Sequence, residues 1–352
     1  MRHSIRFAAL FVAPLLCACG GSNLALTAAP ASNPLYVRFS GQDTNSGANP
    51  ANALRTISKA VQLALDNYTI IVGPGTYVEG VTTARTGGSA SGLVLLADPS
   101  GSRTGDSPNP VIIDAQGNSV PTALTIAQSP GTVVDGFVLT NSSDAGLVVK
   151  SSSDGVTIQN CIVFNNISDG IRVQDSARVV LFNNLVYGNA GTGLNITGSI
   201  SGSPDARLLD NTVAFNQVRG ITIGQSHVAS PRAVLRNNIL YQNAGDASIK
   251  VFAPPPSTVP RSDVGYDEDF DLILPFSFIP TSLQPGSHDL SSEPGFLAPS
   301  LGDFHVAADS PTLGAGTTAG LSDSQVALLR SRTTTGDGTD SSANDLGFHY
   351  LP

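Results

Sequence analysis

The chain has 352 residues, with Gly (36) and Pro (23) abundant, charged residues at 13%, aromatics at 6% and no Trp. That balance excludes coiled coils and helical bundles, which need charged helix formers, and an apolar share of 41% excludes wholesale disorder. A net charge of −9, with Lys59, Lys150 and Lys250 the only lysines, gives no general attraction for nucleic acid or anionic headgroups.

Residues 1–19 stand apart from the rest. Met1–Arg6 is short and basic, and Phe7–Leu16 is apolar but too short to span a bilayer. The run Leu16-Cys17-Ala18-Cys19-Gly20 resembles the lipobox of bacterial lipoproteins, with Leu three residues before the Cys and a small residue just before it. That resemblance implies a signal peptide over 1–19, lipidation at Cys19 and attachment to a membrane through the N-terminal lipid. A Gly after the Cys resembles proteins forwarded to the outer membrane, so the expected location is the outer membrane or cell surface. Residues 20–33, small and polar, form a tether. Cys161 is then the one remaining thiol, expected as a small core residue, and no disulfide framework or Cys-based zinc site can be built.

Residues 34–82 are expected to cap the elements that follow. Ile57, Val61, Ala64 and Leu65 place one apolar stripe on a short helix, and Pro74-Gly75 suits a tight turn. Over 83–252 the dominant signal is an internal repeat. A Gly-aliphatic-x-aliphatic segment recurs at Gly146, Gly170, Gly193 and Gly220, in steps of 24, 23 and 27 residues. Each is followed by a β-branched piece (Val156-Thr157-Ile158, Val179-Val180-Leu181, Leu208-Leu209, Val234-Leu235) and then by an Asn-led one beginning at Asn160, Asn183, Asn211 and Asn237. Three short strands per repeat leave too little chain for a propeller blade, and the composition is too β-branched for a helical repeat.

A triangular coil of three strands accommodates this pattern, each strand pairing in parallel with its equivalent about 4.8 Å away. Like residues then stack in ladders. The expected inward columns are Ile162/Leu185/Val213/Ile239 and Phe164/Tyr187/Phe215/Tyr241, with Asn160, Asn183, Asn211 and Asn237 at a sharp corner. Asn166, Asn189 and Asn243, with Gln217, are expected as a second polar ladder. On these features the chain resembles the right-handed parallel β-helix proteins of the pectate-lyase-like superfamily, from residue 34 to about 252. The opening stretch Leu35-Tyr36-Val37 through Pro74-Gly75-Thr76-Tyr77 is similar to the cap of many secreted members. The expected fold is therefore all-β, a right-handed parallel β-helix with a short N-terminal capping helix and an irregular C-terminal segment. That segment, 253–352, carries Ser292-Glu293-Pro294-Gly295-Phe296 and Asp303-Phe304-His305-Val306, and resembles tails that pack back along the barrel or cap it.

In this superfamily ligands lie along an exposed sheet face, which directs attention to the outward columns. One is expected to hold Thr125, Val148, Arg172, Asn195, Thr222 and Lys250, and the next Ala127, Lys150, Gln174, Thr197 and Gly224. Lys150, Arg172 and Asp169 are the candidate catalytic residues for β-elimination on a uronate polymer, which needs a cation beside the carboxylate and a base for the C5 proton. Gln174, Asn195 and Lys250 are candidate substrate contacts, and Asp144, Asp169 and Asp175 candidate ligands for Ca²⁺. No Asp-Asp with Gly-His-Gly (polygalacturonases), Trp-Ile-Asp-His (pectate lyases) or Tyr-Gly-Phe-Asp-Pro-His (alginate epimerases) is present. Three readings stay open: a surface-anchored protein that binds or presents polysaccharide, a lyase or epimerase on uronate polymers, and a structural or adhesive stalk. The first is preferred. No nucleic-acid partner is expected.

Overall fold

The computed structural model describes residues 34–85, 90–117, 121–175, 178–197, 205–224, 232–252, 266–279, 283–336 and 344–351. Cys19, the leader and the tether lie outside the described residues. The chain winds into a three-sided coil in which each turn gives one strand to each of three sheets, of nine, eight and eight strands. The first sheet begins at Pro34–Val37 and Thr69–Val72 and runs through Val156–Gln159, Arg178–Phe182, Asp205–Leu209 and Arg232–Arg236 to Tyr266–Asp269. The second runs from Gly75–Val78 through Ile162–Phe164, Leu185–Tyr187, Thr212–Ala214 and Ile239–Tyr241 to Leu272–Leu274. The third runs from Val81–Thr82 through Leu147–Lys150, Ile171–Val173, Thr192–Ile196, Arg219–Ile223 and Ile249–Val251 to Phe278–Ile279.

Coil pairing thus starts at Pro34 and continues past residue 252 for one more turn. Tyr266–Asp269 was hidden in sequence because Asp267, Glu268 and Asp269 break the apolar alternation, yet its backbone pairs in register with Ala233–Arg236. The core is a single aliphatic tube. Val156, Val179, Ala206 and Ala233 line one wall, Val163, Val186, Val213 and Leu240 the second, and Leu147, Ile171, Leu194, Ile221 and Ile249 the third, all fully buried. Helix α1 (Ile57–Leu63) closes the upper end with Ile57, Ala60 and Val61. Ala64 is buried as expected, but Leu65 is exposed because the helix ends before it. Among the described residues no helix is long and apolar enough to cross a membrane.

The repeated Gly has a steric cause. A Cβ on Gly146, Gly170 or Gly193 would come within 2.4–2.5 Å of a methyl of Val163, Val186 or Val213, where the chain turns over the second wall. Beside it runs an amide ladder, Asn166 to Asn189 to Asn216 to Asn243, each Nδ2 donating to the next Oδ1 at 2.9 Å. Asn216 holds the rung expected for Gln217. The other corner carries two adjacent columns. Asn160, Asn183, Asp210 and Asn237 adopt left-handed backbone angles (φ 54–61°), while Asn184, Asn211, Asn238 and Asp271 point inward as a second ladder. In the third of these coils, therefore, the corner residue is Asp210 and not Asn211. The same one-residue offset replaces Val213 by Thr212 opposite Leu185, and Phe215 by Ala214 opposite Tyr187. Phe215 lies one position on, at φ 56°.

Apart from Val213, which lines the second wall of the core, the expected inward columns of the second sheet face outward. Ile162, Leu185, Tyr187, Ala214 and Tyr241 pack under Phe296, Phe304, Phe348 and Tyr350 of the C-terminal segment, and Ile239 and Leu272 under Leu346. With both faces of the sheet covered, apolar residues occur on both, and alternation cannot tell inside from outside. Helix α2 (Asp323–Leu329), started by a Ser322/Gln325 capping box, sets Leu328 and Leu329 on Phe182 and Leu209 of the first sheet. The corner column fastens the segment: Asn183 Oδ1 accepts from the His349 N–H at 2.6 Å and its Nδ2 donates to the His349 carbonyl at 3.0 Å. Asn237 clasps Thr317 in the same way.

Candidate functional site

The third sheet is the face on which, among the described residues, the hydrophobic clusters of the C-terminal segment make no contact. Its outward register runs Thr125, Val148, Arg172, Asn195, Thr222, Lys250. That is the column expected from the Gly spacing, because a sterically fixed Gly, just before Leu147 and Ile171 and just inside the strands Thr192–Ile196 and Arg219–Ile223, sets the register of the residues that follow. Lys150 pairs with Ala127 in the adjoining column, and the Gln174 N–H donates to the Val149 carbonyl, which places Gln174 beside it.

Arg172 is the centre of the polar network. Its Nε donates to Asp169 at 2.7 Å, Nη1 and Nη2 reach the two Asp144 oxygens at 3.0 and 2.9 Å, and Nη2 also reaches Ser168 Oγ at 2.8 Å. Burial works against the guanidinium charge, but the Asp169 and Asp144 carboxylates outweigh it and hold Arg172 above its ordinary range. Asp169 is fully engaged in turn: Oδ1 accepts from the Thr192 N–H at 2.9 Å and Oδ2 from Asn195 Nδ2 at 2.8 Å. The two carboxylates expected beside a Ca²⁺ ion are thus turned on Arg172. The third, Asp175, occupies a left-handed turn (φ 58°) and accepts from the Ser151 N–H at 3.3 Å. The structure brings Asp144, Asp169, Arg172 and Asn195 together and leaves Asp175 at the strand end. Among the described residues, the carboxylates that do converge are Glu268, Asp271 and Asp289, near the last coil.

Around this network the column holds groups with spare hydrogen-bonding capacity. Asn195 Oδ1 and Thr222 Oγ1, on paired positions of adjacent coils, are buried and have no hydrogen-bond partner. Thr222 escapes sequence reasoning because Thr on a strand is ordinary; only the packing around it makes its hydroxyl unusual. Lys250 lies 3.6 Å from Asp246 and 4.8 Å from the Phe252 ring centre. Lys150, half-buried, has no ion-pair partner among the described residues. Cys161 heads the inner ladder, fully buried, its thiol pushed up to about 12 by desolvation. It is a core residue with no nucleophilic character at neutral pH.

A family model described as a right-handed β-helix region matches residues 107–253, which contain every residue of this face from Leu124 to Val251. The chain folds as a right-handed parallel β-helix. Among solved structures, the β-helix is similar to pectate lyase Pel9A (16% identity, 89% of this chain and 96% of that one, TM-score 0.48). It is also similar to a pectin methylesterase from carrot (15%, 72% and 71%, 0.39) and to a rhamnogalacturonan lyase (12%, 75% and 90%, 0.39). Among curated proteins none matches the β-helix in sequence.

Proposed function

We propose that this protein binds a polysaccharide along the outer face of its third sheet, without cleaving it, while held at the cell surface by lipid on Cys19. The observation that carries the reading is the pair of buried, unpartnered groups Asn195 Oδ1 and Thr222 Oγ1 on adjacent coils. A buried polar atom without a partner costs about 1–3 kcal/mol, and a sugar hydroxyl, both donor and acceptor, would satisfy either one. Lys150 and Lys250 flank the pair along the coil axis, four strand steps apart in the sheet order and so separated by about 19 Å. They would meet a chain carrying carboxylates. Catalysis is disfavoured by the same network that orders the face. Arg172 is neutralised by Asp144 and Asp169, and Asp169 has both oxygens occupied, so two of the three residues expected to act in elimination hold one another.

Affinity gels with neutral and uronate polymers test this. Thr222→Val and Asn195→Ala should each weaken retardation about 3–10-fold, the loss of one neutral hydrogen bond. Lys150→Ala should weaken it on uronate polymers alone, and Arg178→Ala, paired with Asp154 on the first sheet, should match wild type. Equal migration of all variants would remove this face from consideration. Ultraviolet absorbance from an unsaturated product, lost in Lys150→Ala, would replace binding by elimination.

For the anchor, Cys19→Ala should move the protein from the membrane pellet to a soluble or unprocessed form, since two or three acyl chains on one Cys hold firmly. A variant that still pellets and still incorporates labelled fatty acid would show that the anchor lies elsewhere.

A further inference from the structure

The inner amide ladder ends on a residue that does not fit it. Asn184, Asn211 and Asn238 each use Nδ2 twice, once for the Oδ1 of the next rung and once for a backbone carbonyl, that of Ile158, Leu181 or Leu208, at 2.8–2.9 Å. The next rung is Asp271. Its Oδ1 accepts from the Asn238 N–H and Nδ2 at 2.5 and 2.9 Å. Its Oδ2, where the other rungs carry a donor, is buried and has no hydrogen-bond partner.

Two further carboxylates lie close to Asp271. Glu268 comes from the last strand of the first sheet and is buried. Asp289 comes from the segment that crosses the lower end of the coil, held there by a bridge between Leu272 and Leu290 and by the Asp271 N–H donating to Asp289 Oδ1 at 3.0 Å. One oxygen from each of Glu268, Asp271 and Asp289 lies within 4.8 Å of the other two, and the Tyr266 hydroxyl stands 3.3 Å from Glu268 Oε2. Asp271 and Glu268 are buried and Asp289 is half-buried, and the unpartnered Asp271 oxygen leaves an acceptor in the cluster that a cation would satisfy.

We propose that Glu268, Asp271 and Asp289 bind a divalent cation of the Ca²⁺ type, which pins the covering segment to the last coil and closes the lower end of the β-helix. The donor set is all oxygen, the preference of hard cations, and three carboxylates with the neighbouring phenol oxygen and backbone carbonyls suit the high, flexible coordination of Ca²⁺. The site is distinct from the third-sheet face. Its role is to seal strand edges that would otherwise be open to pairing.

The experiment uses the full chain after chelation. Ca²⁺ titration should raise the melting temperature of wild type. Tb³⁺ should give luminescence sensitised by Tyr266, since the chain has no Trp to compete as donor. Asp271→Asn restores the rung used by the other coils and should fold, yet bind Ca²⁺ at least tenfold more weakly and lose most of the Tb³⁺ signal; Asp289→Asn should do the same. Asp144→Asn, on the third-sheet face, should keep both responses. No Ca²⁺-dependent rise in wild type, a full response in Asp271→Asn and Asp289→Asn, or a response lost in Asp144→Asn would each overturn the proposal.

Discussion

Asn211→Ala should destabilise the β-helix by about 3–5 kcal/mol, at the upper end of what single substitutions do. Asn211 is fully buried in the middle of the inner ladder. Its Oδ1 accepts from both the N–H and Nδ2 of Asn184 at 3.0 Å, and its Nδ2 donates to Asn238 Oδ1 at 3.0 Å and to the Leu181 carbonyl at 2.9 Å. Alanine leaves donors on Asn184 and an acceptor on Leu181 with no partner between tightly stacked coils, each costing about 1–3 kcal/mol. Because each coil in a solenoid is stabilised mainly by its two neighbours, the defect weakens both interfaces at once. Reversible chemical denaturation of the variant and wild type measures the difference. A loss under about 1 kcal/mol would mean that the rungs are not joined as described.

The opposite sign is expected at the neighbouring corner: Asp210→Asn should stabilise the protein at neutral pH by about 1–3 kcal/mol. Asp210 is fully buried, and its Oδ2 has no hydrogen-bond partner. Desolvation pushes its carboxyl well above the usual range; the Asn237 amide donating to Oδ1 opposes this, and Asp271 adds to it. A carboxyl whose pKa is higher in the folded state costs stability once pH exceeds its unfolded value of about 4. That cost grows until the folded pKa is reached and is absent in acid. Asparagine already occupies this left-handed corner at 160, 183 and 237, so the substitution introduces no backbone strain, and its amide can donate where the carboxylate cannot. Stability measured from pH 7 towards pH 4 should show the gap between variant and wild type narrowing. A variant no more stable than wild type at pH 7 would mean that Asp210 is satisfied in a way the geometry does not reveal.

These two residues also mark where sequence reasoning slipped. Aligning the coils on identical letters puts Asn211 at the corner with Asn160, Asn183 and Asn237. The backbone aligns instead on conformation, and Asp tolerates the left-handed corner as Asn does. The slip carried through that coil to Thr212, Ala214 and Asn216, and ended at Gly220, where steric crowding resets the register. The third-sheet column from Thr125 to Lys250 was legible for the same reason, since every one of its strands from Leu147 onward follows such a Gly or lies in step with one.

What the sequence determined by itself is the coil: its period, its parallel three-strand turns, its capping helix and the side-chain columns of the third sheet. All of these follow from local sterics and from a periodicity that repeats along the chain. The tertiary structure alone decided which face of the second sheet is inside, because Phe348 and Tyr350 lie more than a hundred residues beyond the strands they cover. It also decided how the charges pair. Arg172 reaches Asp144 across a span of 28 residues, and Glu268, Asp271 and Asp289 meet only because a separate segment folds across the last coil. Charge pairing depends on where long side chains end in space, and sequence spacing fixes only where they begin.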